Sequence, residues 1–185
     1  MRPQESVVAA GAAAIRPSRE DDVAEIAAIY AHHVRHGTAS FETVPPTVDE
    51  MSRRRAEVLA RGLPHLVAEL DGSVVGYAYA GLYRTREAYR FTVEDSVYLH
   101  PDHTGKGVGR LLLAAVIQAA AEGGRKQMVA VIGDSANIAS IRLHERAGFR
   151  HVGVLRSVGY KFDRWLDTVL MQLELEKHPK QQRQL

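Results

Sequence analysis

Three glycines, Gly105, Gly107 and Gly109, alternate within SVYLHPDHTGKGVGRLLL, where apolar residues at 108, 111, 112, 115, 116 and 119 follow at helical spacing. A turn without side chains at alternate positions lets backbone N–H groups close on an anion, and the helix it opens adds unpaired donors and partial positive charge. A pyrophosphate is the natural guest. The same glycines would also serve a plain tight loop before a helix, so the neighbouring residues have to decide. Two other phosphate motifs are excluded: no GxxxxGK[ST] occurs, and Leu112 stands where a dinucleotide-binding GxGxxG needs its third glycine.

A second chemical candidate lies just upstream. Glu94 falls inside the otherwise apolar run TVEDSVYL, where burial would raise its pKa toward useful general basicity. A glutamate on the exposed face of an edge strand fits the same pattern, and the run alone leaves both readings open. Strand alternation sends Asp95 to the opposite face and returns Ser96 to the Glu94 side, so residues 94 and 95 are not a carboxylate dyad. No HExxH or comparable spacing suggests a metal. The absence of cysteine excludes disulfides, thiolate sites and a cysteine nucleophile.

The elements that must position these residues read as β-α-α-β-β-β-α-β-α-β-β. Ser18 and Asp21 look like a helix start, and Val23, Ile26, Ala27, Tyr30 and Val34 keep helical spacing until Gly37. Thr47 and Glu50 form a capping box for a second helix to about Arg61. HLVAEL and SVVGYAYAGLY read as strands joined by an Asp71-Gly72 hairpin turn, and AYRFTVEDSVYLH as the next strand. After the glycine turn and its helix come QMVAVIGD as a buried strand, a helix from about Asn137 to Ala147 ended by Gly148, and two closing strands.

Length and composition bound the class. The 185 residues suit a single domain, expected over 13–176 with tails at 1–12 and 177–185. A formal charge of +2 is too small to argue for a nucleic-acid or membrane surface. The apolar run Val7 to Ile15 is far shorter than the ~18 residues that span a bilayer. Without a basic start and a longer apolar middle, the N-terminus does not read as a signal peptide, and a cytoplasmic location is expected.

HTGKGVGRLLL followed by NIASIRLHERAGF resembles the acyl-CoA loop and next helix of the GNAT acetyltransferases. Over about residues 13 to 175, SFE near 41, TVEDSVYLHPDHTGKGVG, NIASIRLHERAGF and VGYKFDRW together are similar to the phosphinothricin and methionine sulfoximine N-acetyltransferases within that superfamily. The resemblance implies an α/β GNAT fold, a mixed and mostly antiparallel sheet flanked by helices. It implies direct transfer from acetyl-CoA, in a ternary complex, to the amino group of a small amino-acid-like acceptor such as phosphinothricin, methionine sulfoximine or methionine sulfone. An α-amino group, with pKa about 8, is largely protonated at neutral pH, so a proton acceptor is needed.

By matched position, the resemblance implies roles for individual residues. Val97, Tyr98 and Leu99 lie beside the pantetheine arm, Gly105, Lys106, Gly107, Val108, Gly109 and Arg110 hold the pyrophosphate, and Asn137 and Ser140 touch the coenzyme from the following helix. Glu94 becomes the base. His144 becomes a proton donor to the leaving thiolate, with a merely packed histidine as the alternative. Phe41, Glu42, Arg84 and Ser96 surround the acceptor, Arg84 on its carboxylate, with Arg86 and Arg90 as nearby alternatives. Thr104, beside His103, stands where the family usually carries Gln or Arg, a departure that weakens one phosphate contact. Trp165 either walls the site or packs at a dimer interface, and the resemblance favours a homodimer. Acetylation of a protein amine and a non-catalytic acyl-CoA sensor are the competing functions.

Overall fold

The structure, a computed structural model, describes residues 13–175. Both expected tails, 1–12 and 177–185, lie outside the described residues. Seven strands form one sheet: β1 Ala14–Pro17, β2 His65–Leu70, β3 Ser73–Leu82, β4 Thr92–Leu99, β5 Gln127–Gly133, β6 Arg150–Lys161 and β7 Arg164–Glu174. Their spatial order is β1-β2-β3-β4-β5-β7-β6, and every neighbouring pair is antiparallel except β4 and β5. Four α-helices, α1 Val23–His36, α2 Val48–Ala60, α3 Val108–Glu122 and α4 Ile138–Arg146, cover its two faces. The element order is the one the sequence predicts.

The apolar spacing of each helix explains its seat. Leu112, Leu113, Val116 and Ala120 form one stripe of α3 and are buried against Ala78, Ala80, Val93, Met128 and Ala130 of the sheet. Ile26, Ile29, Tyr30 and Val34 of α1, with Met51 of α2, bury themselves on the other face against Val67, Val74 and Tyr77. The β2–β3 hairpin turns at Asp71 and Gly72, both at positive φ (50° and 80°), as a two-residue turn requires.

The parallel pair positions the site. β4 and β5 stay in register only from Thr92 opposite Gln127 to Asp95 opposite Ala130. Beyond that point β4 follows β3, ending with Leu99 opposite Gly76, while β5 follows β7, ending with Gly133 opposite Thr168. The strands therefore part, and the backbone of residues 96–99 loses its β5 neighbour.

Three local expectations are corrected. Ser18 does not cap α1: residues 20–22 form a 3-10 turn whose Asp22 carboxylate accepts the Arg19 N–H at 2.6 Å, while the Ser18 hydroxyl accepts from Arg55 at 2.8 Å. Only half of the expected capping box of α2 forms. Thr47 accepts from the Glu50 N–H at 3.2 Å, but the Glu50 carboxylate turns outward to Arg53 and Arg54, whose charge-assisted bonds are the stronger choice. Residues 87–89 form a 3-10 turn instead of the first residues of β4, which begins at Thr92.

Candidate active site

The parting of β4 from β5 opens a cleft of about 640 Å³. Val97, Tyr98 and Leu99 form its β4 wall, Gly105, Gly107, Gly109 and Arg110 its glycine-turn end, and Asn137, Ser140 and His144 its α4 wall. Gly105 and Gly107 have φ of 73° and 84°, the left-handed region that glycine enters without penalty. Gly107 is the N-cap of α3, and no side chain caps it. The first turn of a 15-residue helix thus presents its N–H groups to the cleft, which is what a pyrophosphate needs. Thr104 also lines this end, its hydroxyl donating to the Pro101 carbonyl at 3.1 Å.

Two of the expected coenzyme residues face elsewhere. Val108 turns its side chain into the core, 5% exposed, so only its backbone faces the turn. Lys106 is exposed and outside the cleft lining. Asn137 has a second task, since its side-chain oxygen caps α4 by accepting the Ser140 N–H at 3.2 Å. Arg142 and Arg146, one turn apart on α4, and His33 of α1 line the cleft too. Their spacing alone did not separate them from solvated surface residues.

His144 is buried, 4% exposed, and reaches through the α4 side of the cleft to β4. Its Nε2 lies 2.9 Å from Asp95 Oδ2, and its Nδ1 lies 2.8 Å from the Ser140 carbonyl oxygen. Burial alone would lower its pKa, but the hydrogen bond and charge of Asp95 outweigh that and raise it. Asp95 was expected only to point away from Glu94. It does so, and that orientation carries it to His144, a pairing across 49 residues that local periodicity could not reveal.

Glu94 occupies the other face of β4, half-buried, opposite Gly81 of β3. Burial, then the nearby negative charge of Asp95, pushes its pKa up to about 6, while Arg84 pulls it the other way. Arg84 is therefore within electrostatic reach of Glu94, although it is exposed, with its guanidinium 4.4 Å above the Tyr83 ring. Ser96 shares the Glu94 face and stands opposite the half-buried Tyr79 of β3. Glu94 lies just outside the lining of the coenzyme cleft, whereas Ser96 belongs to it, so the carboxylate stands at the cleft's edge on the α1–α2 side.

Phe41 and Glu42 sit on the loop between α1 and α2. Glu42 accepts from the Tyr30 hydroxyl at 2.9 Å and from Arg54 at 2.6 Å, so part of its carboxylate is already engaged. The Phe41 ring lies over Gly133 of β5 and Gly159 of β6. Lys161, at the end of β6 and 4% exposed, donates to the carbonyls of Gly37 at 2.8 Å and Ser40 at 2.7 Å. The VGYKFDRW segment thus reaches the site through its lysine, while Trp165 stays 65% exposed on the surface. Among the described residues there is no group of three or more His, Asp or Glu placed to hold a metal ion.

Comparison with known proteins places this geometry. The Acetyltransferase (GNAT) family model matches residues 33–149. The chain is 58% identical over 164 residues to a phosphinothricin N-acetyltransferase of Alcaligenes faecalis, covering 89% of this chain and 83% of that protein. It is 46% identical over 167 residues to an L-methionine sulfoximine/L-methionine sulfone acetyltransferase of Salmonella typhimurium, covering 89% and 95%. A GNAT superfamily phosphinothricin acetyltransferase from Sinorhizobium meliloti, solved in complex with AcCoA, superposes with a TM-score of 0.85 at 42% identity, with 88% of each chain covered. The family match over residues 33–149 includes the parted strands and the glycine turn, and this chain belongs to the GNAT family of acetyltransferases.

Proposed function

We propose that the protein is an N-acetyltransferase that moves the acetyl group of acetyl-CoA to the α-amino group of a small amino-acid-like acceptor. Phosphinothricin, methionine sulfoximine and methionine sulfone are the acceptors that its relatives' names put first. The observation that carries this reading is the place of Glu94: a half-buried carboxylate held near neutrality, at the edge of a cleft that opens where β4 leaves β5.

The chemistry follows from these side chains. Glu94 accepts a proton from the acceptor's ammonium group, directly or through water, and the neutral nitrogen attacks the thioester carbonyl. Backbone N–H groups of β4 beyond Asp95, freed from β5, hold the developing oxyanion. As the new C–N bond forms, the C–S bond breaks; the thiolate takes a proton from His144, whose charged form Asp95 stabilises, and the second proton shed by the nitrogen passes to water, from which His144 is recharged. Arg84 forks the acceptor's carboxylate, and Phe41, Glu42 and Ser96 close the pocket around its side chain. Transfer is direct in this reading, and with no cysteine in the chain no acetyl-thioester forms on the protein.

This reading includes one domain over 13–176, a homodimer and a cytoplasmic location. The dimer is supported by β6, an edge strand that exposes Val152, Leu155, Val158 and Tyr160, with Trp165 beside it on β7. No helix among the described residues is long and apolar enough to cross a membrane. The deciding experiment is release of CoA from acetyl-CoA in the presence of methionine sulfone or phosphinothricin. Turnover with either, reduced at least about a hundredfold in Glu94→Gln at neutral pH, is expected. Acetyl-CoA binding without turnover would instead point to a protein amine or a sensor.

A further inference from the structure

The loop that carries Phe41 and Glu42 has no regular secondary structure between Gly37 and Thr47, yet it is fastened at defined points. Tyr30 of α1 meets both the Ser40 hydroxyl, at 2.8 Å, and Glu42. Arg54 of α2 holds the Glu42 carboxylate. The third fastening comes from the far end of the chain: the Lys161 ammonium donates to the carbonyls of Gly37 and Ser40, 124 and 121 residues away in sequence.

A lysine with 4% exposure is costly unless its charge is met, and two carbonyl acceptors at 2.8 and 2.7 Å meet much of it. Shortening or removing that side chain would leave both carbonyls without their donor. The same hairpin also shapes the seat of Phe41. A Cβ on Gly159 would fall 2.6 Å from Phe41 Cδ2, and one on Gly133 would fall 2.9 Å from Phe41 Cε1 and collide with the Thr38 carbonyl. Gly159 has no left-handed backbone to justify a glycine; what it provides is room for the ring.

We infer that Lys161 and Gly159 are positioning residues for the acceptor, with the β6 end of the closing hairpin setting where Phe41 and Glu42 stand. The inference rests on the reading that the 37–42 loop lines the acceptor pocket. Lys161 and Gly159 act through the loop's backbone and the Phe41 ring, and neither lines the coenzyme cleft, to which the 37–42 loop contributes Ala39 alone. Their loss is felt in acceptor recognition and leaves coenzyme binding in place.

The test is steady-state acetylation of methionine sulfone and phosphinothricin at saturating acetyl-CoA, with acetyl-CoA affinity measured by calorimetry on the same preparations. Lys161→Met and Gly159→Ala should each raise the acceptor KM at least tenfold while acetyl-CoA affinity stays within twofold of wild type. In a Phe41→Ala background, Gly159→Ala should add no further rise, because the ring it displaces is gone. Should Lys161→Met fail to fold, the Gly159 and Phe41 cycle decides alone. A raised KM in Phe41→Ala together with an unchanged KM in Gly159→Ala and Lys161→Met overturns the inference and spares the acceptor reading. An equal loss of acetyl-CoA affinity in the two positioning variants also overturns it, as a general structural defect. An unchanged KM in Phe41→Ala removes the acceptor reading itself, and the inference with it.

Discussion

Asp95 on β4 and His144 on α4 meet at 2.9 Å, with side chains only 2% and 5% exposed, and the second ring nitrogen of His144 faces the Ser140 carbonyl at 2.8 Å. A carbonyl oxygen can only accept, so Nδ1 must carry a proton. A carboxylate also accepts, so Nε2 must carry one too. The contacts therefore select the imidazolium form of His144, charge-paired with Asp95, and they tie one wall of the coenzyme cleft to the other.

The first prediction concerns stability. His144 has its pKa raised in the folded protein, so the pair's contribution is fully present below the unfolded value of about 6.5 and is lost as pH rises through the folded value. Asp95→Asn removes a buried charged partner, a change that costs about 3 kcal/mol when the other charge is stranded. Urea unfolding from pH 5.5 to 9 should show the largest gap between wild type and variant at the acid end, narrowing towards the alkaline end. A gap that widens with rising pH would contradict the imidazolium assignment.

Activity should titrate on Glu94. With the ionised carboxylate as the proposed base, kcat/KM should fall as pH drops through about 6, where burial holds its pKa. Arg84 pulls that pKa down, so Arg84→Gln should move the acid limb to higher pH and raise the acceptor KM in the same protein. Glu94→Gln should abolish the limb, and its residual rate should climb at alkaline pH as the acceptor amine loses its own proton. Profiles of kcat/KM for the three proteins check all of this together, and an unmoved limb in Arg84→Gln would detach Arg84 from the site.

The glycine turn supplies the third prediction. Gly107 caps α3 at a φ of 84°, and a Cβ there would meet nothing within 4 Å, so the protein has space for it and only the backbone objects. Gly107→Ala should cost about 1–2 kcal/mol for the left-handed conformation. That corresponds to a melting temperature lowered by about 2–8 °C. In the proposed coenzyme site the added methyl also stands where backbone approaches the pyrophosphate, and acetyl-CoA affinity should fall more than tenfold. Calorimetric titration beside thermal melting separates the two effects.

How much of this was legible beforehand depended on the range of the interaction. Glycine spacing, the apolar stripe of α3 and the Asp71-Gly72 turn are local, and each gave the right element in the right order. Glu94 could be named a candidate because a charged residue in an apolar run is local information, but the run left an exposed edge position open as well, and the family resemblance chose between them. The partnership of Asp95 with His144 and of Lys161 with the 37–40 backbone depends on how β4, α4 and β6 are brought together, and no pattern within either segment encodes it. Ser18 and Glu50 misled for a related reason: each had a standard capping partner nearby and an arginine that offered a stronger bond. Even the parting of β4 from β5, which creates the cleft, is written in the different strands that each follows after residues 95 and 130.

The final prediction concerns assembly. β6 is the last strand of the sheet, and among its 12 residues only Lys161 is buried. Val154 and Leu155 point to opposite faces of a strand, and both are exposed, as are Val152, Val158 and Tyr160. An edge strand this long is normally blunted by charge or covered, because its free N–H and C=O groups invite pairing. Its apolar residues favour a cover, and a second copy of the chain supplies one under the dimer reading. Leu155→Lys places a charge on a side chain that is 48% exposed in the single chain, so the monomer fold should tolerate it. Light scattering should then find wild type at twice the chain mass and the variant at one chain mass, with circular dichroism unchanged. A wild type that runs as a single chain across micromolar concentrations would remove the dimer and leave the edge to be covered by something else.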